Sequence, residues 1–139
     1  MLKDRTVDED GLIVTRFSGT HTYEDAVQAL DAILAINKNY SEIYEIVINE
    51  DDIRLEFIED ELKQLNAKVE STFANFERGG LAVVSNIDFI FGMTRMLGSS
   101  IKNESIAIAV FRTEKLAREW IQEIRELHNR QSHQDQARH

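Results

Sequence analysis

Residues 45–65 read EIVINEDDIRLEFIEDELKQL, and the fold turns on how this stretch is read. Its first part belongs to IYEIVI, residues 43–48, a run nearly continuous in apolar residues, as a strand covered on both faces is. Seven carboxylates follow between Glu50 and Glu61, with Arg54 among them. Then Ile58, Leu62, Leu65, Val69, Phe73 and Phe76 recur at spacings of four, three, four, four and three, the period of an amphipathic helix. A buried strand that leads into a helix is the unit from which parallel sheets are built.

The same alternation extends in both directions. Leu2 to Val7, the turn DEDG and the run LIVTRF predict a β-hairpin, with Gly11 supplying a positive φ at the turn. SGTHTYED reads as a loop, and Thr22 with Asp25 forms a capping box that starts a helix whose apolar face is Ala26, Val27, Leu30, Ile33 and Leu34. That helix is expected to break over Asn37 to Ser41. After the helix that ends at RGG come a strand LAVVS, a short apolar helix in NIDFIFGMTRMLGSS and a strand SIAIAVF. Thr113 then caps a last helix with an inward stripe of Leu116, Trp120, Ile124 and Leu127. The reading is one α/β domain over 1–127, with a mainly parallel sheet of four or five strands and an N-terminal antiparallel hairpin strand. A polar tail over 128–139 is expected to fray.

Composition narrows the function classes. The 139 residues are the size of one domain, 42% are hydrophobic, and no apolar run approaches the roughly 20 residues that cross a bilayer. There is no cysteine, and the charged N-terminus is not a secretory signal, so a cytoplasmic location is expected. Residues 1–70 hold 7 Lys/Arg against 17 Asp/Glu, a net of −10, whereas 71–139 hold 9 against 8, a net of +1. Such a surface repels phosphate backbones and anionic lipid, which argues against nucleic acid and membrane partners.

The carboxylate burst lacks the ligand spacing and glycine of a calcium loop, and its members look solvated rather than paired in a cleft. Glu59, Asp60 and Glu61 fit the first turn of a helix, where backbone N–H groups favour anions. Of the histidines, His21 reads as an exposed loop residue and His128, His133 and His139 belong to the tail, without the spacing of a zinc site. No Ser stands in a nucleophile elbow, and no glycine cluster follows a strand as a phosphate cradle would. No cofactor, metal or enzymatic activity is expected. The segment IDFIFGMTRML is more apolar than one short helix can turn inward: Ile87, Phe89, Ile90, Phe91, Met93, Met96 and Leu97. Some of it should be exposed, as a protein interface or as the mouth of a greasy pocket.

Three segments carry a family likeness: GLIVTRFSGTHTYEDA (11–26), FGMTRMLG (91–98) and IAVFRTEKLAREWI (108–121), the last with Val110, Phe111, Thr113, Ala117 and Trp120 in place. With them the chain resembles the STAS fold of bacterial anti-sigma-factor antagonists, and more narrowly the SpoIIAA-like family. The resemblance implies a regulatory domain that acts through protein contacts, as a homodimer or with another protein. Antagonists of that kind carry a phosphorylatable Ser at the start of the helix after the IVIN-like strand. Here Ile58, Glu59 and Asp60 stand there, with no Ser or Thr between Ser41 and Ser71, so that switch is absent; Glu59 would be a phosphoserine mimic or only a helix-start acid. The interaction surface expected is Asp51, Asp52, Glu59 and Asp60 together with Phe89, Phe91, Met93 and Met96. The alternative, which has a distant likeness to the CRAL-TRIO lipid-transfer proteins behind it, is a pocket for an apolar or amphiphilic small ligand, with Arg95 as its anchor.

Overall fold

The computed structural model of the chain describes residues 1–36, 41–100 and 106–137. The expected helix break at 37–40, the side chains of Leu97 and His133, and His139 lie outside them. The hairpin forms as expected: β1 (Leu2–Val7) pairs antiparallel with β2 (Ile13–Phe17), and Gly11 turns between them with φ 83°. Asp8 closes the turn by accepting from the backbone N–H groups of Asp10 and Leu12. The remaining strands of the main sheet are β4 (Glu42–Asn49), β6 (Arg78–Val84) and β7 (Ile106–Phe111), all parallel, in the order β1-β2-β4-β6-β7. The strand IYEIVI is therefore the middle of five, which is why its apolar run is continuous.

Two further strands were not expected. Thr20–Thr22 (β3) and Arg54–Glu56 (β5) pair parallel in a small second sheet, His21 opposite Leu55. Each is three residues long, and neither THT nor RLE carries enough apolar periodicity to stand out from a loop. They join the chain just beyond the ends of β2 and β4, with the N–H of Glu50 on Phe17 O and that of Arg54 on Gly19 O.

Side chains alternate across the main sheet. Val14, Tyr44, Ile46, Ile48, Ala82 and Val84 face helix α4 (Glu114–Ala137), meeting Ala117 and Ile121. Ile13, Ile43, Leu81 and Ile106 face the opposite way, towards α1 (Tyr23–Ile36) and α2 (Glu59–Phe73), and meet Leu30, Ile33 and Phe73. Helix α3 (Asp88–Ser100) covers the rest of that second face and inserts Ile90 beside Phe17 and Ile53. Caps are where the sequence puts them. Thr22 and Asp25 exchange reciprocal bonds of 3.0 and 3.2 Å, and Thr113 Oγ1 accepts from Leu116 N–H.

The last helix corrects two expectations. Its buried positions are Ala117 and Ile121, flanked by half-buried Trp120 and Ile124, while Leu116 and Leu127 are exposed. The small side chain of Ala117 lets the helix lie close to the sheet and rotates the stripe by one position. Nor does the helix end at residue 127. It continues through Ala137, held at His128 by Tyr44 Oη on Nδ1 (2.7 Å) and by the Arg78 guanidinium on the carbonyl.

Gly79 sits opposite Ile43 in the β4–β6 ladder, and a Cβ there would overlap the Ile43 carbonyl oxygen. Gly79→Ala should therefore destabilise the protein by roughly 3 kcal/mol in urea unfolding. Gly92→Ala, in helix α3 with open space around it, should stabilise by roughly 0.5–1 kcal/mol.

Candidate functional site

The face of the sheet beneath α1, α2 and α3 carries an acid in an otherwise aliphatic layer. Arg5 of β1 lies directly opposite Thr15 of β2, and Glu45 of β4 lies beside Ile13, two residues from Thr15 on the same face. Three neighbouring strands thus bring these side chains together. Thr15 Oγ1 donates to Glu45 Oε2 at 2.7 Å and accepts from Arg5 Nε at 2.9 Å. Arg5 Nη2 donates to the Ala29 carbonyl in α1 at 3.0 Å and stands 3.6 Å from Glu45 Oε2. Glu45 is buried, and burial, the largest influence, pushes its carboxyl above the ordinary range; the Thr15 hydroxyl and the Arg5 guanidinium pull the other way.

Above this group the helices do not close on the sheet. A partly enclosed cavity of about 150 Å³ remains, with walls from Ile33, Val47, Val83, Ile90 and Ile108. Arg5, Thr15, Glu45 and His21 border it as its polar groups, together with Asn49, Asn66 and Thr94.

His21 departs most from the sequence reading, which made it an exposed loop residue. It is buried, at 6% exposure, because the β3–β5 pairing draws it in under Phe17 and Phe57, with ring centroids 4.1 and 5.6 Å away. Its Nδ1 is buried without a hydrogen-bond partner among the described residues. Burial, assisted by the positive chain terminus and opposed by Asp25, lowers its pKa to about 4, so the imidazole is neutral at pH 7.

The residues expected to form an interaction surface are not brought into one patch with the cavity. Asp51 and Asp52 make the exposed turn after β4, and Glu59 and Asp60 are exposed in the first turn of α2. Their neighbour Glu61 reaches back to accept from the N–H of Ile58 at 3.0 Å, an ordinary cap. On α3, Phe89 and Met96 are each 74% exposed, and the ring of Phe91 lies under the Arg112 guanidinium at 4.1 Å. Met93 alone of the eight lines the cavity. Arg95 is exposed and does not line it; the guanidinium that does is Arg5. Sequence reasoning passed over Arg5, Thr15 and Glu45. The signal for Glu45 was there: one acid in the middle of a run that both faces of a sheet must cover.

Among the described residues no three His, Asp or Glu side chains are placed to hold a metal ion, and no helix is long and apolar enough to cross a membrane. No family model matches the chain, and no curated protein does. Among solved structures, an uncharacterized protein of the DUF3478 family from Shewanella loihica PV-4, described as having a SpoIIAA-like fold, superimposes with a TM-score of 0.57. The match covers 87% of this chain and 92% of the other at 15% sequence identity. The fold is SpoIIAA-like. At that identity the likeness bears on the SpoIIAA-like architecture alone, which agrees with the element order read from the sequence.

The buried imidazole has a consequence for pH. Its folded value lies below the ordinary 6.5, so the stability it allows is fully present above pH 6.5 and is lost as the pH falls towards about 4. Between pH 7 and 4.5 this amounts to about 2 kcal/mol. His128, lowered by burial and by Arg78, adds in the same direction. His21→Phe should flatten this acid limb of the urea-unfolding profile by about that amount; an unchanged limb would place its origin elsewhere.

Proposed function

We propose that this SpoIIAA-like chain is a non-enzymatic binding module for a small amphiphilic ligand held between the sheet and helices α1–α3. The observation that carries this reading is the cavity of about 150 Å³, apolar on its walls and polar where Glu45, Thr15, Arg5 and His21 border it. Interiors pack like organic crystals, and apolar walls that face a space of that volume lack partner atoms across it. A ligand recovers those contacts. The position also fits, since β3 and β5 extend the carboxyl ends of β2 and β4, the side on which open α/β sheets bind ligands.

A second reading keeps a specific support. Phe89 and Met96, both mostly exposed on α3, would be contacts for a protein partner or a second copy of the chain. Phe89→Asp should then lower the oligomeric mass seen in sedimentation without altering the melting temperature.

The ligand reading is tested by melting the protein in buffer saturated with benzene, a probe of matching size. The wild-type melting temperature should rise, because a ligand that binds only the folded state stabilises it. Val83→Phe, which puts a ring into the cavity from β6, should melt no lower than wild type and show no benzene response. A wild-type protein indifferent to benzene would remove the support for a ligand site.

A further inference from the structure

The cavity's polar border is more selective than its size alone would make it. Arg5, Thr15 and Glu45 are partnered there before any ligand arrives. The Arg5 guanidinium and the Glu45 carboxylate lie 3.6 Å apart, and the guanidinium also donates to Thr15 and to the Ala29 carbonyl. An ionised ligand group entering this space would give up its hydration and meet no uncommitted opposite charge. Uncharged ligands are favoured by that arrangement.

His21 presents the complementary demand. It is buried and neutral, and its Nδ1 has no hydrogen-bond partner among the described residues. A neutral imidazole offers one donor and one acceptor, and a buried polar atom left without a partner is costly. One hydroxyl or ring N–H on a ligand satisfies such a nitrogen. The surroundings of His21 are aromatic, with Phe17 and Phe57 both against the imidazole, and both rings line the cavity. They offer faces and edges to a flat ligand, and a cavity of about 150 Å³ has room for a single aromatic ring.

We infer that the cavity selects an uncharged aromatic molecule of about one ring that carries a single hydroxyl or ring N–H, the phenol class, and that His21 is the residue that hydrogen-bonds this group. This rests on the ligand-binding reading above and names the ligand class for the same cavity. Leu55, Phe57 and Ile90 would then enclose the ring, while Glu45 and Arg5, already partnered by each other and by Thr15, would offer a carboxylate no free partner.

Calorimetric titrations with phenol, benzene and benzoate at pH 7 test the inference, on wild type, His21→Phe and His21→Gln. On wild type, phenol should bind roughly 3- to 10-fold more tightly than benzene, the worth of one neutral hydrogen bond. Benzoate should not bind measurably. His21→Phe should lose the advantage of phenol over benzene, and His21→Gln should restore part of it. Should His21→Phe fail to fold, the imidazole 15N shifts of wild type decide: phenol should move those of His21 and benzene should not. Phenol no tighter than benzene, an equal advantage in His21→Phe, or benzoate as tight as phenol would each overturn the inference while leaving a ligand cavity in place. Binding of none of the three would overturn the inference and the reading beneath it together.

Discussion

One carboxylate on the central strand constrains much of this structure. Glu45 sits where the β4 ladder has strands on both sides, and it is buried at the border of the partly enclosed cavity. Burying an acid in such a place is tolerable only with hydrogen bonds and an opposite charge at hand. Thr15 on β2 and Arg5 on β1 supply them, and they can do so in one register only, because a slip by one residue would turn either side chain to the other face. The hairpin at the sheet edge, exposed along most of β1, is thereby tied to the centre of the fold. Arg5 also reaches the Ala29 carbonyl, which links the first helix to the same group.

The two faces of the sheet answer different requirements. Towards α4 the layer is small and aliphatic at its centre: Gly80 lies under Trp120, Ile121 and Ile124, and Ala82 packs in one cluster with Ala117 and Ile121. Towards α1, α2 and α3 the same strands present Thr15, Glu45 and the bulky Val47 and Val83, and space remains between sheet and helices. The small β3–β5 sheet brings His21, Leu55 and, just beyond it, Phe57 to that space.

Much of the architecture was legible in the sequence because its signals are periodic. The continuous run of β4, the four-three spacing of α2, the Gly11 turn and the Thr22 and Thr113 caps each point to the element that forms. The candidate site was not legible, since its parts are isolated residues without period. Arg5 and Thr15 look like ordinary polar positions on a half-exposed hairpin, and only the strand order puts them beside Glu45. His21 looked like a loop residue because the three-residue strand that buries it takes its partner from the carboxylate-rich stretch after β4. The charges of that stretch are its most visible feature in the sequence, whereas its structural contribution is the short strand around Leu55 and the exposed first turn of α2. The apolar excess of α3 is divided between Ile90 and Met93, which turn inward, and Phe89 and Met96, which do not.

The sheet and helices α1–α3 leave a partly enclosed, mainly apolar cavity beside Glu45. Crystals of the protein pressurised with xenon test it most directly, because xenon occupies dry apolar cavities of this volume. A xenon atom in contact with Val47, Val83 and Ile90 is the predicted result. Diffraction that shows those side chains packed together and no xenon among them would contradict it.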